Sequence, residues 1–343
     1  MRCLERGRFP LIFFISLLAA GCSPHTEYST TRQYMGTVAR FDFLCEGPGD
    51  SAVQDYITKA RKRLDSIENR LSIFLPSSEV TAINNDRLKS IVTPSRDVYT
   101  LIKKSMYFYG ITEGAFDITV APLTETWGFG ADAFTCPSRR RIETILDHVG
   151  MYKIRVDEDK KAVIFDDPLV AVDFGAIAKG FAVDEAIRLA EEQGLENGII
   201  NIGGDLYCLG KNGAGKPWSI GIKDPRIEKG IIATIRISDM AVATSGIYEN
   251  FRIRGQKRFS HIIDPRTGSP VSNDVSSVTV VAPDCVTADA LATAILVLGS
   301  AGGKELAEKI PGAECLLIIN HGRGPSMTYS SGMKKYLDDS REK

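Results

Sequence analysis

Three stretches of the chain place apolar residues three or four positions apart, with charged residues between them. They are residues 50–71, 98–110 and 182–193, and the spacing predicts an amphipathic helix in each. The third helix is expected to end at Gly194, because glycine commonly follows the last turn of a helix. A shorter helix is expected directly after Ser78, which is a favourable capping residue.

Alternating or continuously apolar runs between these helices predict β-strands. The first is an alternating strand over residues 33–41. Residues 251–254 and 258–263 predict a hairpin, and His261 falls in its second strand. The polar residues 244–246 are expected to form a turn. The remaining predicted strands are residues 162–165, 169–172, 198–202, 218–224, 231–238, 241–244 and 277–282.

The N-terminus has the pattern of a secretory signal. Three arginines precede an apolar run over residues 9–20, which is too short to span a bilayer. The run ends Leu-Ala-Ala-Gly-Cys, which resembles the lipobox of bacterial lipoproteins. Residues 1–21 are therefore expected to be removed and Cys22 to carry lipid, with an ordinary signal peptide and a chance cysteine as the alternative. Residues 22–32 are expected to form a polar tether before a folded domain over residues 33–335.

The charge balance limits the classes of partner. The 343 residues include 42 Lys and Arg against 43 Asp and Glu, a formal net charge of −1. No overall positive field therefore draws the chain to nucleic acid or anionic lipid, and any anion must be held locally. The seven cysteines include no CxxC pair and no Cys/His cluster with zinc spacing, so they predict no zinc site.

Residues 172–184 form a junction between an extended segment and a helix, and they contain residue types that are common in binding sites. Asp173, Gly175, Lys179 and Gly180 stand where an extended segment passes into a helix. Glycine lets a backbone approach a ligand closely, and the free N–H groups at a helix start suit phosphate. The junction therefore predicts a site for a polyanionic cofactor. An ordinary strand-to-helix turn with a solvated lysine is the alternative.

A second candidate site lies near the start of an apolar helix over residues 287–299. Thr287 is placed to cap this helix, Asp289 falls in its first turn, and Thr293 follows one turn later on the same face. A carboxylate and a hydroxyl are oxygen ligands of the kind that Mg²⁺ prefers. Stabilisation of the helix dipole by Asp289 is the alternative.

Residues 114–130 mix small residues, one acid and aromatic rings. Such a mixture is typical of a loop that lines a pocket for a planar ring, but also of core packing. His261 is open to two interpretations as well, since a lone histidine in a strand is more often structural than catalytic.

Together these pieces resemble the ApbE family, the FAD:protein FMN transferases. The resemblance covers the chain from about Gln33 to about residue 330, and its most specific motifs are His-Ile-Ile-Asp-Pro-Arg-Thr-Gly at 261–268 and Ala-Asp-Ala-Leu-Ala-Thr at 288–293. It implies an α+β fold with antiparallel sheets and packed helices, related to the tunnelling fold, with FAD in a cleft. The other matching motifs are at residues 35–37, 116–120, 127–130, 173–184, 201–205 and 243–246.

The resemblance also implies roles for particular residues. Magnesium is expected between Asp289, Thr293 and the backbone carbonyl of Ala176. His261 is expected to act as general base, because a hydroxyl is a weak nucleophile near neutral pH. The residues expected to contact FAD are Met35, Phe74, Ala115, Phe116, Asp117, Asp173, Lys179 and the backbone around Ile263.

The implied reaction cleaves the diphosphate of FAD, passes FMN as a phosphoester to a Thr or Ser of a partner protein and releases AMP. The expected partners are flavoprotein subunits of membrane redox complexes. The expected location is the periplasmic side of a bacterial membrane, inner or outer, reached through the lipid on Cys22. Two alternatives stay open, an FAD pyrophosphatase that uses water in place of the hydroxyl and a non-catalytic flavin-binding lipoprotein.

Overall fold

The computed structural model of the chain describes residues 26–45, 47, 50–86, 88–129, 134–227, 230–248, 250–320 and 324–338. The predicted signal peptide and Cys22 lie outside these residues. The helices within them are α1 (Ser51–Leu71), α2 (Glu79–Asn85), α3 (Arg96–Ile111), α4 (Ala121–Trp127), α5 (Arg139–Leu146), α6 (Ala178–Glu192) and α7 (Cys285–Lys309).

Most of the strands follow one another directly, since no helix interrupts the described chain over residues 198–282. The strands are β1 (Thr26–Tyr34), β2 (Thr37–Cys45), β3 (Ile91–Val92), β4 (Ile154–Asp157), β5 (Ala162–Phe165), β6 (Gly198–Ile202), β7 (Asp205–Leu209), β8 (Trp218–Lys223), β9 (Ile231–Ile237), β10 (Met240–Gly246), β11 (Phe251–Arg254), β12 (Lys257–Ser260), β13 (Ile263–Asp264), β14 (Ser269–Pro270), β15 (Val275–Ala282), β16 (Glu314–Asn320) and β17 (Pro325–Tyr329).

One large sheet organises the fold. In the described part of the chain its eight strands run in the order β1-β2-β6-β7-β10-β15-β16-β17, and every neighbouring pair is antiparallel. Smaller antiparallel sheets are formed by β3-β5-β4, β8-β9, β11-β12 and β13-β14. The predicted α+β class with antiparallel sheets and packed helices is therefore confirmed.

The two faces of the large sheet bury separate cores, because successive side chains of a strand point to opposite faces. On β10, Ala241 and Ala243 join the core that also contains the buried faces of α1, α6 and α7, while Val242 joins a second core beneath β8 and β9. Strand β15 divides in the same way, with Val280 in the first core and Val281 in the second. The sheet is thus covered by helices on one face and by a hairpin on the other.

The predicted helices 50–71, 98–110 and 182–193 are confirmed as α1, α3 and α6. The ends of α1 and α3 differ by one or two residues, but α6 begins four residues earlier than predicted and so includes Lys179 and Gly180. The side chain of Asp50 caps α1 by accepting from the N–H of Ala52, and Ser78 caps α2 by accepting from Thr81. Local capping residues therefore fixed these helix starts.

Several strand predictions need correction. The tether expected over residues 22–32 ends earlier, because β1 already begins at Thr26 and pairs along its whole length with β2. The single strand predicted over residues 33–41 is in fact divided by a tight turn at Met35-Gly36, both with positive φ. The strand predicted over residues 169–172 does not form.

Two further corrections affect the site. Thr244, Ser245 and Gly246 are not a turn but the last residues of β10, paired with β15. The hairpin predicted over residues 251–263 is confirmed, but its second strand ends at Ser260, so His261 lies just beyond the strand.

Helix α7 begins earlier than Thr287. Asp284 is its capping residue, with a carboxylate oxygen 2.9 Å from the N–H of Thr287, and Asp289 consequently lies beyond the first turn. The helix is long and apolar enough to cross a membrane, but 67% of its most apolar window is buried inside the fold. Gly299 interrupts its helical geometry at φ 77°.

Candidate functional site

The site is built where the N-terminus of α6 meets α7. The two helices approach so closely at Gly180 that a Cβ on this residue would lie 2.3 Å from the carbonyl oxygen of Cys285. Only glycine fits there without a shift of backbone. The contact lets Asp289 Oδ2 accept a 3.0 Å hydrogen bond from the Gly180 N–H.

A second contact between these helices, made of two hydrogen bonds, fixes the start of α7. The two carboxylate oxygens of Asp184, on α6, accept from the N–H groups of Cys285 and Val286 at 2.7 and 2.9 Å. These N–H groups would otherwise lack partners within α7. Burial raises the pKa of Asp184 to about 7, although the two N–H donors oppose the shift.

Lys179 and two carboxylates form the charged centre of the site. The ammonium Nζ pairs with Asp205 Oδ2 and lies 3.7 Å from Asp289 Oδ1. Burial alone would lower the pKa of Lys179, but the carboxylates of Asp205 and Asp289 outweigh it and raise the pKa above its ordinary value. The lysine is therefore charged, and its side chain is mostly buried, with 29% accessible to solvent.

A turn at two glycines places Asp205 at this centre. Asp205 begins β7 directly after Gly203 and Gly204, which have φ of 64° and 101°. Gly203 packs against Thr37, where a Cβ would lie 2.7 Å from the threonine side chain. The predicted FAD contact Met35 lies in the turn just before Thr37, and its N–H donates to Glu68 Oε1 at 2.9 Å.

The three predicted magnesium ligands fit an oxygen-ligated cation. Gly180 gives its N–H to Asp289, and the carbonyl of Ala176, four residues earlier, accepts no hydrogen bond from the described residues. Thr293 Oγ1 is 3.2 Å from Ser245 Oγ at the end of β10. Among the described residues, no group of three or more His, Cys, Asp or Glu side chains is arranged to hold a metal ion by itself. One carboxylate with neutral oxygens suits Mg²⁺, which usually keeps waters and shares substrate phosphates.

His261 has a defined tautomer when neutral. Its Nδ1 is 2.8 Å from the carbonyl oxygen of Asn250, which can only accept, so Nδ1 carries the proton and Nε2 has a free lone pair. Burial lowers the pKa of His261, the bond to Asn250 opposes this, and the ammonium of Lys179 lowers it further. Asp264, which the sequence offered as an orienting partner, binds Arg266 with both oxygens and only fixes its own turn.

The predicted flavin contacts fall into two groups. Phe74 is 73% exposed after α1, so a face of its ring is accessible. Ala115, Phe116 and Asp117 are buried, and Asp117 accepts from Thr119 and Met151. Burial raises the pKa of Asp117 to about 6 despite these bonds. These three residues therefore form core and turn structure, and their role as flavin contacts stays a prediction.

The last two predicted contacts, Asp173 and Ile263, are both buried or held by local backbone bonds. Burial raises the pKa of Asp173, whose Oδ1 accepts a 2.8 Å bond from the Gly175 N–H. Ile263 is buried and its backbone pairs with Pro270 in the short β13-β14 ladder. The carboxylate of Asp173 therefore shapes the turn that carries Ala176.

Sequence reasoning gave no role to Asp205, Ser245 or Asn250. Asp205 followed a Gly-Gly pair that marks a close approach, and this signal could have found it. Ser245 was hidden by its assignment to a turn. Asn250 contributes a backbone carbonyl, which carries no side-chain signal.

The chain was compared with known proteins. The sequence profile of the ApbE family matches residues 35–317. The chain is 33% identical over 327 residues to the FAD:protein FMN transferase of Vibrio cholerae, covering 94% of this chain and 96% of that protein. It is 32% identical over 350 residues to the FAD:protein FMN transferase of Haemophilus influenzae, covering 100% of both.

Solved structures agree. The flavin transferase ApbE from Vibrio cholerae superimposes with a TM-score of 0.82 at 32% identity, covering 92% of this chain and 100% of that one. The ApbE protein from Thermotoga maritima gives the same TM-score, identity and coverage.

Proposed function

The chain belongs to the ApbE family, and from this membership together with the site we infer that it is an enzyme, an FAD:protein FMN transferase. The observation that carries the inference is the charged centre of Lys179, Asp205 and Asp289 beside His261. It combines a cation for a diphosphate, oxygen ligands for a metal and a neutral base. The substrate is FAD, and a partner protein receives FMN.

The reaction joins an acceptor hydroxyl to the FMN phosphorus. The Thr or Ser oxygen forms a bond to this phosphorus, the bond from phosphorus to the bridging oxygen breaks, and AMP leaves with that oxygen. The hydroxyl proton passes to Nε2 of His261, the nitrogen that the bond to Asn250 leaves without a proton. His261 thus serves the step at which a weak nucleophile must lose its proton.

The charged centre positions the diphosphate. The Lys179 ammonium supplies positive charge for the phosphate oxygens, and Asp205 holds that ammonium in place. Asp289, Thr293 and the Ala176 carbonyl would hold Mg²⁺, which neutralises diphosphate charge when bound. Phe74 offers an exposed aromatic face for stacking against the flavin ring.

The function is tested with the chain from Ser23, which lacks the predicted signal. It is incubated with FAD, Mg²⁺ and an acceptor flavoprotein domain, and flavin fluorescence is followed on a denaturing gel. Covalent fluorescence with release of AMP supports the transferase. Free FMN and AMP without covalent flavin would indicate a pyrophosphatase, and bound FAD without AMP would indicate a storage protein.

The acceptor and the location follow from the same proposal. The acceptors are flavoprotein subunits of membrane redox complexes, and the enzyme meets them on the periplasmic side of a bacterial membrane. This location is supported by the Leu-Ala-Ala-Gly-Cys sequence that ends at Cys22.

Replacement of the lipobox cysteine tests the anchor. Cys22→Ser is expected to move the protein from the membrane fraction to the soluble periplasmic fraction, because a serine cannot carry the thioether-linked lipid. The measurement is fractionation followed by immunoblotting, with Cys136→Ser as the matched control at an exposed cysteine of the folded domain. Membrane association that survives in Cys22→Ser contradicts a lipid anchor at this position.

A further inference from the structure

The hairpin β11-β12 is separate from the large sheet, and its surface is unusual for this chain. Residues 250–260 contain four cations and no acid, whereas the whole chain is nearly neutral. Among the described residues no carboxylate forms an ion pair with any of the four. The cations are Arg252, Arg254, Lys257 and Arg258.

The hairpin also exposes apolar side chains. Ile253 is 67% exposed, and Phe251 is exposed beneath the guanidinium of Arg258, which lies 3.5 Å from the ring centroid. Paired residues of a ladder share a face, and Ile253 pairs with Arg258, so these three side chains form one continuous face. Arg252, Arg254 and Lys257 alternate with these residues and project to the other side of the same exposed two-stranded ribbon. We call the six exposed side chains on the two sides of the ribbon together the hairpin face.

The hairpin face is continuous with the catalytic base. Asn250, directly before β11, accepts from both the backbone N–H and Nδ1 of His261, directly after β12. Phe259 packs the base of the hairpin on Trp127 and Phe134, with ring centroids 5.8 and 5.3 Å apart. A molecule bound along the four paired positions of this hairpin, roughly 3.4 Å each, therefore ends at His261.

We propose that the hairpin face binds an acidic, extended segment of the acceptor protein and delivers its hydroxyl to His261. This rests on the proposed function, since a transferase must hold a protein where its base acts. Charge complementarity selects an acidic segment, and the exposed Phe251 and Ile253 supply apolar contact. Lys179, where the proposed function places the FAD diphosphate, pairs with carboxylates of β7 and α7 and, within the described chain, not with the hairpin.

Charge reversal on the hairpin tests the proposal. In Arg252→Glu/Arg254→Glu, KM for the acceptor domain is expected to rise about tenfold or more, because like charges oppose encounter and docking. The dissociation constant for FAD and kcat at saturating acceptor are expected to stay within about twofold of wild type. Added salt should lower kcat/KM of the wild-type enzyme for the acceptor and leave kcat/KM of Arg252→Glu/Arg254→Glu nearly unchanged.

The matched control reverses two exposed lysines elsewhere, Lys62 on α1 and Lys211 after β7. Lys62→Glu/Lys211→Glu makes the same change in net charge and should leave KM for the acceptor unchanged. Ile253→Ser provides a second, uncharged variant, for which a severalfold rise in KM is expected.

Each other outcome overturns the proposal. An unchanged KM for the acceptor in Arg252→Glu/Arg254→Glu excludes acceptor docking on the hairpin. If FAD affinity falls by the same factor as KM rises, the cations bind FAD and not the acceptor. Loss of binding to vesicles of phosphatidylglycerol and phosphatidylethanolamine with an unchanged KM assigns the face to the membrane. If the wild-type protein transfers no flavin at all, the proposed transferase function is wrong. This result is distinct from an unchanged KM in the variant, which contradicts only the docking proposal.

Discussion

His261→Ala is expected to slow flavin transfer by about 10²- to 10⁴-fold, the contribution that general-base catalysis typically makes. FAD binding should be nearly unchanged, because Lys179 and its carboxylates, which hold the diphosphate, are not altered. The measurement pairs single-turnover transfer at saturating FAD with the dissociation constant for FAD. His148→Ala is the matched control, since His148 is a half-buried histidine bonded to Asp167.

The pH profile separates a base from a structural histidine. Burial and the nearby Lys179 place the pKa of His261 below the ordinary 6.5, so the neutral form predominates at pH 7. Wild-type kcat should therefore be level above the lowered pKa and fall as pH drops through it, while His261→Ala lacks this fall. Weakened FAD binding with a normal transfer rate would show that His261 only supports the cleft.

Asp289→Asn is expected to lower turnover by about a thousandfold and to remove its dependence on Mg²⁺. The change removes the one carboxylate among the three predicted ligands, and metal stabilisation of transition-state charge is worth several kcal/mol, or roughly three powers of ten. The fold should survive, because an amide oxygen can still accept from Gly180.

Two measurements are needed for this variant. Calorimetry of Mg²⁺ binding with FAD present reports on the site independently of turnover, and AMP release reports on the reaction. Asp284→Asn is the control, because it makes the same chemical change at the cap of the same helix, away from the predicted ligands. Wild-type Mg²⁺ affinity in Asp289→Asn would remove Asp289 from the metal site.

Local signals explain how much of the fold the sequence could predict. Periodicity located α1 and the capping residue Ser78 located α2, because both signals lie in or next to the helices themselves. At the start of α7, Asp284 and Thr287 are both good caps, and the sequence did not distinguish them. The turn at Met35-Gly36 divides what looked like one alternating strand, because alternation by itself does not show where a chain reverses.

The candidate site depends on contacts between distant parts of the chain. Asp289 was predicted from its own helix, but its bond to Gly180 spans 109 positions of sequence. Asp205 pairs with Lys179 only because the sheet places the start of β7 beside α6. A single sequence has no periodicity that reports such pairings. Helix spacing and the resemblance therefore supplied Asp289, Lys179 and His261, while Asp205 and the geometry of the site came only from the fold.

The close approach at Gly180 also determines which parts of the enzyme can respond to a substrate. The backbone N–H of Gly180 bonds to Asp289, and its neighbour Lys179 faces the same carboxylate, so ammonium and carboxylate are carried by two helices in backbone contact. Closely packed helices cannot slide by small amounts without losing that packing. We therefore expect the charged centre to stay rigid during a catalytic cycle, and the exposed ring of Phe74 and the exposed outer part of the hairpin β11-β12 to adjust to the substrates.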